Sequence, residues 1–334
     1  MKQVILLFIC ILILFSAGCR DAEVSDNDIN TAAGNSKAAN VQSNLGNCTR
    51  VIEYKDIIIF DDYLYDKTSS EISLLCKNPV CSHTEGFNSE DNDCILLKLI
   101  GSLQIYNDNI LCTCSKASNN IYKLDPQTGT LSVFYKANMQ VRAFRLYGDN
   151  NAVIHSDKGI YAVSLKTGES LELIKGDVYN SFYTSDDNYM YISLEDFTLH
   201  RISLDTGEDI VLKERGYAPT VYGGKVYYRY VSESEEEWTL MRMNPDGSDA
   251  EVIVNDVMGY SIYKDRIYYY TASYPKKSMI CDTDGKNNKE ILNESADFYI
   301  LPEAEKVISR AHKDFSYRIM DLDGSNIEGL SVPQ

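Results

Sequence analysis

Three cysteines and one histidine lie within 19 residues, in the stretch LCKNPVCSHTEGFNSEDNDC. They are Cys76, Cys81, His83 and Cys94. Three thiolates and one imidazole can complete a tetrahedral site, so this cluster predicts one zinc ion. Its spacing lacks the paired C-x-x-C of a well-formed zinc knuckle, and in an exported protein a Cys76–Cys81 or Cys81–Cys94 disulfide is the rival prediction. Besides Cys19, the mature chain has seven cysteines, an odd number, which leaves unpaired thiols as a third reading.

The rest of the chain has few residues spaced for catalysis. It contains no H-E-x-x-H, no G-x-S-x-G and no Walker-type loop. His155, His200 and His312 have no partner at a fixed spacing, which favours structural roles. The D-G turns, such as DTDGKNNKE from Asp282, lack the five alternating ligands and the final Glu of a calcium loop. A carboxylate pair assembled from distant segments stays open, and it would make the protein a carbohydrate-active hydrolase or lyase.

Six similar turns organise the chain that must position these residues. Their glycines stand 39, 39, 40, 38 and 39 residues apart, at Gly129, Gly168, Gly207, Gly247, Gly285 and Gly324. Alternating apolar and polar residues flank each turn, so each is predicted to be a hairpin tip with a glycine at φ > 0. A β unit that repeats every 39 residues is typical of a propeller blade.

A second set of tips lies upstream of the glycine turns, for example YNDN from Tyr106 and YGDNN from Tyr147. Two hairpins in each repeat give four short strands, which account for about 40 residues. Residues 48–76 have the same pattern without the glycine. We therefore predict an all-β fold, a seven-bladed β-propeller of four-stranded antiparallel blades, over 48–334, with the Cys/His insertion at 76–94. Six blades, with 48–76 packed outside the ring, is the alternative.

The blade sequences resemble a known group of proteins. The runs RIYYYT and KVYYRY, each followed by a D-G turn and then KEIL or AEVIV, resemble the YWTD-type blades of low-density-lipoprotein receptors and the propellers of Tol-system proteins. They are most similar to bacterial lipoproteins that carry such a propeller, a group without an established function. That resemblance also implies a Cys-Cys-His-Cys insertion, which favours metal. No Y-W-T-D tetrad is present, and Tyr228 and Tyr269 stand where the receptors have Trp, so receptor ligand residues are not transferred.

The first 18 residues predict an export signal. Twelve apolar residues from Val4 to Phe15 are too few to span a bilayer, and the ending S-A-G-C resembles a lipobox. Cys19 is therefore the predicted lipidation site, and an ordinary secretory signal is the alternative. Residues 19–47 predict a lipidated cysteine followed by a disordered tether, because residues 20–47 contain almost no large apolar side chain. The predicted location is the extracytoplasmic face of the cell membrane.

Net charge limits the partners. The chain has 32 Lys+Arg against 49 Asp+Glu, a net charge of −17, which disfavours nucleic acid and peripheral binding to anionic lipid. We expect a monomer that meets the membrane through its lipid anchor and binds an extracytoplasmic protein, peptide or glycan. No cofactor besides the possible zinc is expected. Absence of a recognised catalytic motif favours a non-catalytic binding module over the hydrolase or lyase alternative.

Strand order also predicts where binding takes place. Tips between strands one and two and between strands three and four share one end of a propeller, and these tips are short and uniform. The other end carries the loops between strands two and three and the crossings from blade to blade, which vary in length and sequence. Variable loops on a rigid scaffold are common binding sites. Trp238, the only tryptophan, and Tyr274 lie in such loops and are the predicted ligand contacts.

Overall fold

The computed structural model describes residues 42–43, 51–61, 63–77, 102–113, 118–176, 178, 182–234 and 237–332, with the backbone alone at 42–43 and 182. Within this part the chain forms seven four-stranded antiparallel sheets that follow one another in sequence order. The seven-bladed propeller is therefore confirmed, and the six-blade alternative is wrong because residues 51–74 form a complete blade. Across the described ranges, no helix is long and apolar enough to cross a membrane.

Each blade consists of four consecutive strands. They are, in blade 1, β2 (Val51–Tyr54), β3 (Ile57–Phe60), β4 (Tyr63–Asp66) and β5 (Ile72–Leu74); in blade 2, β6 (Gln104–Tyr106), β7 (Asn109–Cys112), β8 (Asn120–Asp125) and β9 (Thr130–Lys136); in blade 3, β10 (Ala143–Tyr147), β11 (Asn151–His155), β12 (Gly159–Ser164) and β13 (Ser170–Lys175); in blade 4, β14 (Phe182–Ser185), β15 (Tyr189–Ser193), β16 (Leu199–Ser203) and β17 (Asp209–Lys213); in blade 5, β18 (Gly216–Tyr222), β19 (Lys225–Val231), β20 (Trp238–Met243) and β21 (Glu251–Asn255); in blade 6, β22 (Val257–Tyr263), β23 (Arg266–Thr271), β24 (Ser278–Asp282) and β25 (Lys289–Leu292); and in blade 7, β26 (Ala296–Leu301), β27 (Lys306–Ala311), β28 (Tyr317–Asp321) and β29 (Glu328–Leu330). The two-residue strand β1 (Gln42–Ser43) pairs with β22.

The blades form a closed ring around a central channel. The first strand of each blade is the innermost, since first strands of neighbouring blades contact one another, as β22 does β26 and β2 does β26. A separate apolar core fills each of the seven junctions between blades. Both faces of each sheet are thus covered by neighbours, which explains why the second strand of each blade is buried along most of its length.

The ring closes between blades 7 and 1 without exchange of a strand. Val51, Ile58 and Phe60 of blade 1 pack against blade 7 residues that include Leu301 and Ile308. A propeller can close its ring by completing one blade with strands from both ends of the chain. Here blades 1 and 7 each consist of four consecutive strands, so no strand is shared between them. No strand pairing joins these two blades, and the seam consists of apolar packing and of hydrogen bonds to side chains, such as that from the Glu303 amide to the Glu53 carboxylate.

Turn chemistry follows the predicted pattern. All six repeated glycines have positive φ, between 65° and 85°. Blade 1 lacks the glycine, and Ser70 takes its place at φ 59°, where its amide donates to the Asp66 carbonyl as the Gly129 amide does to Asp125. An Asx turn at Asp66 stabilises this tip, because the Asp66 carboxylate accepts hydrogen bonds from the amides of Thr68 and Ser69.

The tyrosines that precede the upstream tips connect neighbouring blades. The Tyr54 hydroxyl of blade 1 donates to the Asp108 carbonyl of the blade 2 tip, at 2.9 Å. The Tyr106 hydroxyl of blade 2 donates in the same way to the Asp149 carbonyl of the blade 3 tip, at 2.7 Å. The Y-x-D motif of these tips is therefore an element of ring assembly. This end of the propeller, with the tips between strands one and two and between strands three and four, is called the tip end below, and the opposite end the crossing end.

Candidate binding face

Most residues of the predicted Cys/His cluster lie outside the described residues. Of the four, only Cys76 is described, and it lies half buried against the core between blades 1 and 2. Cys81, His83 and Cys94 fall in the undescribed range 78–101, as Cys19 does in 1–41. The zinc and disulfide readings both stay predictions. Among the residues that the structure does describe, no group of three His, Cys, Asp or Glu side chains could hold a metal ion.

A ring of polar side chains lies at the crossing end. Counted from the tip, the fifth position from the start of the second strand is polar in every blade, whereas the second position is apolar in every blade; in blades 1 and 2 the fifth position directly follows the strand. These fifth residues are Asp61, Thr113, His155, Ser193, Arg229, Tyr270 and Arg310. Five of the seven are buried, and Tyr270 and Arg310 are partly exposed.

The members of this polar ring bridge to the next blade. The Thr113 hydroxyl donates to the Arg142 carbonyl, the Ser193 hydroxyl accepts from the Ala218 amide, and the Arg229 guanidinium donates to the Met258 carbonyl. Sequence reasoning missed this ring. Its signal was one polar column in seven aligned repeats. Thr113, Ser193 and Arg229 satisfy backbone groups where the next inner strand begins.

Arg229 is the member of the ring that meets a cluster of aromatic residues. Its guanidinium lies 4.8 Å from the Tyr217 ring centre and 4.7 Å from that of Trp238. The Trp238 and Tyr217 rings are 5.9 Å apart in an edge-to-face arrangement, and Phe197 contacts both, at 6.2 and 5.5 Å. Burial lowers the pKa of Arg229 and raises that of Tyr217. We call these four residues the aromatic cluster.

The aromatic cluster joins blades 4 and 5 at the crossing end. Phe197 comes from the loop between strands β15 and β16, and Trp238 opens β20. Trp238 is only half exposed because its ring packs on its neighbours. The cluster can therefore serve as a rigid support for a bound partner, with part of the indole accessible.

Three exposed aromatic side chains lie on the same end. Tyr274, in the loop between β23 and β24 of blade 6, is 94% exposed, and Phe315, in the corresponding loop of blade 7, is 59% exposed. Tyr230, near the crossing end of β19 in blade 5, is 41% exposed. The remaining exposed large apolar side chains among the described residues are aliphatic and lie on or next to outermost strands: Ile210, Val211, Val252 and Ile327. Among the side chains that the structure describes, the exposed aromatic ones are thus confined to blades 5–7 of one end.

A second group of polar contacts lies between blades 6 and 7. The His312 Nε2 is 3.0 Å from the Asp297 carboxylate, and the Tyr270 ring packs edge-on against the imidazole at 4.7 Å. Burial raises the pKa of Tyr270 to about 12, so its hydroxyl stays protonated at neutral pH. His312 therefore has a carboxylate partner, which the sequence did not show. His200 likewise contacts Asp209, at 2.8 Å.

The acidic turns of the tip end use their carboxylates locally. In the blade 6 turn, Asp284 accepts from the Lys286 amide, and Asp282 accepts from the Asn287 side chain. Hydrogen bonds hold the pKa of Asp284 below its usual range. These donors stabilise the turns themselves.

The comparisons with known proteins show the fold. No protein-family model and no curated protein matches this chain. Among solved structures, it is similar to the computationally designed Ika8 protein, with 12% identity, 89% of each chain covered and a TM-score of 0.53. It is also similar to an oligogalacturonate lyase in complex with manganese, with 10% identity, 81% of this chain and 82% of that chain covered and a TM-score of 0.54. A nidogen/laminin complex matches at 13% identity, covering 65% and 91%, with a TM-score of 0.45. At these identities the function must be argued from this chain itself.

Proposed function

We propose that the protein is an extracytoplasmic binding module, tethered to the membrane, that recognises a protein or peptide partner with the crossing end of blades 4–7. The observation that carries the proposal is the concentration of exposed aromatic residues there, at Tyr230, Tyr274 and Phe315, beside the aromatic cluster. Aromatic side chains together with arginine dominate protein recognition surfaces, because they bury a large area at little cost in conformational entropy.

The ring geometry favours a protein or peptide over a glycan. A sugar stacks on an open aromatic face, but the cluster's rings pack edge-to-face on one another and share the Arg229 guanidinium. The Arg229 guanidinium lies over the Tyr217 ring and over the Trp238 ring, so it occupies one face of each. Tyr274 and Phe315 instead project from loops of adjacent blades, as anchors that could enter pockets of a partner. Trp238 and Tyr274 as ligand contacts stay predictions that this proposal keeps.

Photo-cross-linking tests the proposed face. Benzoylphenylalanine replaces Tyr274 in the full chain, in cells that make the protein, and a matched variant carries it at Asp265, on the tip end of the same blade. We expect one discrete protein adduct from position 274, with its yield lowered severalfold by Tyr230→Ala. Equal adducts from positions 265 and 274, or none from 274, would count against the proposal.

An assay for turnover addresses the enzyme alternative. Incubation of the purified chain with oligogalacturonate, with and without manganese, measures new unsaturated ends by their absorbance. We expect no product above the background. Product formation that scales with protein concentration would favour the lyase reading over the binding module.

The anchor and the Cys/His cluster belong to the same proposal. Cys19→Ala should release the protein into the medium, and unchanged membrane association would contradict the lipobox reading. Elemental analysis combined with thiol titration distinguishes zinc from a disulfide at Cys76, Cys81, His83 and Cys94. Metal-free protein with all its thiols titrating would contradict both readings.

A further inference from the structure

Two loops at the crossing end contain the same aspartate-phenylalanine turn. The turn is DFT at 196–198 in blade 4 and DFS at 314–316 in blade 7. In both, the aspartate carboxylate accepts a hydrogen bond from the amide two residues later, at 3.0 Å. Phe197 and Phe315 both have left-handed backbone, with φ 65° and 58°. The two rings therefore project from equivalent positions of their blades.

The two phenylalanine rings have different surroundings. Phe197 is half buried, because its ring contacts Trp238 and Tyr217 of the next blade. Phe315 is 59% exposed and contacts no other aromatic ring among the described residues. The Arg310 guanidinium lies over the Phe315 ring, at 4.6 Å from its centre. The neighbouring blade thus covers the ring in blade 4, whereas in blade 7 much of the ring is left to solvent.

Hydrogen bonds fix the position of Phe315. Its amide donates to the Ala311 carbonyl at 3.1 Å, and the Ala311 amide donates to the Ser316 carbonyl at 2.9 Å. Arg310, which supports the ring, is in turn held by the Asp61 carboxylate, 3.4 Å from its Nε. A partner can bury an exposed ring on such a preorganised loop at little cost in conformational entropy.

A lysine accompanies each of the exposed aromatic residues of blades 6 and 7. Lys276 follows Tyr274 by two residues, Lys313 precedes Phe315 by two residues, and both lysines are exposed. In the described part of the chain, Lys276 forms no ion pair, and Lys313 has only its neighbour Asp314. These two ammonium groups are therefore accessible to the carboxylates of a partner.

The corresponding loops of blades 4 and 5 carry the opposite charge. Residues 194–198 contain two acids, residues 232–237 contain four glutamates, and neither loop contains Lys or Arg. The blade 6 loop, residues 272–277, contains two lysines and no acid, although the whole chain has a net charge of −17. An acidic segment would therefore be repelled by blades 4 and 5 and attracted to blade 6.

We propose that blades 6 and 7 bind a peptide segment of the partner in which an aromatic side chain is flanked by acidic residues. The aromatic side chain packs against the free part of Phe315, as Trp238 packs against Phe197 in blade 4. The flanking carboxylates contact Lys276 and Lys313. This inference adds the chemistry of the partner to the proposed function, and it rests on that function for the choice of binding face.

Charge reversal tests the acidic part of the segment. The double variant Lys276→Glu, Lys313→Glu is made in the full chain that carries benzoylphenylalanine at position 274. The matched control is Lys158→Glu, Lys166→Glu, which changes the net charge equally at exposed positions of blade 3. We expect the adduct yield to fall about tenfold in the first variant and to stay unchanged in the control. Equal yields in the two variants would overturn the inference.

Replacement of the ring tests the aromatic part. Asparagine tolerates left-handed backbone, so Phe315→Asn removes the ring without added strain. We expect a severalfold lower adduct yield and a melting temperature close to that of the parent. The matched variant Phe197→Asn should melt several degrees lower, because its ring is packed in the aromatic cluster. A Phe315→Asn chain that melts as early as Phe197→Asn would show that the Phe315 ring belongs to the core, and would overturn the inference.

A peptide-display selection separates this inference from the proposed function. Random short peptides are selected on the full chain and counter-selected on the Lys276→Glu, Lys313→Glu variant. We expect enrichment of peptides with Trp, Tyr or Phe beside Asp or Glu, and enrichment of basic peptides, or of none, would overturn the inference. An adduct at position 274 whose yield ignores both lysines would contradict this inference alone. Enriched acidic aromatic peptides without any adduct from position 274 would support it and count against the proposed function.

Discussion

Removal of the Asp61 carboxylate should open the seam between blades 7 and 1. Asp61 accepts a hydrogen bond from the Tyr317 hydroxyl, and its Oδ2 lies 3.4 Å from the Arg310 Nε. The Asp61 side chain is 3% exposed and that of Arg310 is 18% exposed. The Arg310 guanidinium also lies 4.6 Å from the Phe315 ring centre, so the carboxylate contacts Tyr317 and Arg310 directly and Phe315 is linked to it through Arg310.

Asp61→Asn keeps the shape and removes the charge. Loss of one partner from a buried ion pair lowers the free energy of unfolding by about 3–5 kcal/mol. We expect a loss of about 3 kcal/mol for Asp61→Asn, because Arg310 retains some contact with water. With a urea m-value of about 3 kcal/mol/M, that loss lowers the unfolding midpoint by about 1 M. The measurement is urea unfolding followed by circular dichroism, with hydrogen exchange to locate the opening.

The matched control is Asp108→Asn at the tip end. Asp108 also pairs with a cation, Lys55 at 2.8 Å, but both side chains are mostly exposed, at 71% and 58%. Solvent screens such a pair, and the midpoint should stay close to that of the parent. Equal midpoints for the two variants would refute the reasoning, as would accelerated exchange spread evenly over all blades in Asp61→Asn.

Three further predictions concern turns and buried groups. Gly285→Ala should lower the free energy of unfolding by about 3 kcal/mol, because the new Cβ would lie 2.1 Å from the Ile253 carbonyl oxygen, at a φ of 79°. Gly224→Ala should lower it by only about 1 kcal/mol, since φ is 71° there but no atom lies within 4 Å of the new Cβ. Thermal unfolding compares the two variants. Burial raises the pKa of the Cys281 thiol to about 12, so iodoacetamide at pH 8 should modify it only after unfolding, and fast labelling of native protein would contradict its position in the core. Burial also raises the pKa of Tyr269 to about 12. Because the unfolded chain loses this proton near pH 10 and the folded chain retains it, the free energy of unfolding should fall between about pH 10 and pH 12. An unchanged free energy of unfolding over that range would contradict the burial of Tyr269.

The repeat could be predicted from the sequence because its signals are local. Alternation along each strand and a glycine at each tip depend on neighbouring residues, and Gly129 and Gly285 have the predicted positive φ. Blade 1 could be recognised without its glycine, since the strand pattern is present and Ser70 adopts the left-handed conformation instead.

The contacts between blades could not be predicted in the same way. Arg229 and Met258 are 29 residues apart and Asp61 and Tyr317 are 256 apart, and no local pattern links such pairs. The half-buried position of Trp238 depends on Phe197 of the preceding blade in the same manner. The partners of side chains that join two blades can be identified only from the structure of the assembled ring.

A fluorine label at Trp238 tests the central claim that the crossing end is the binding face. Trp238 is the only tryptophan, so growth with 5-fluorotryptophan gives one ¹⁹F resonance, located in the aromatic cluster. The titrant is the protein captured at position 274. We predict that the resonance shifts or broadens saturably with added partner, and that a variant with Asp265→Ala at the tip end behaves like the parent. Binding confirmed by calorimetry with an unchanged Trp238 resonance would contradict the assignment of the binding face.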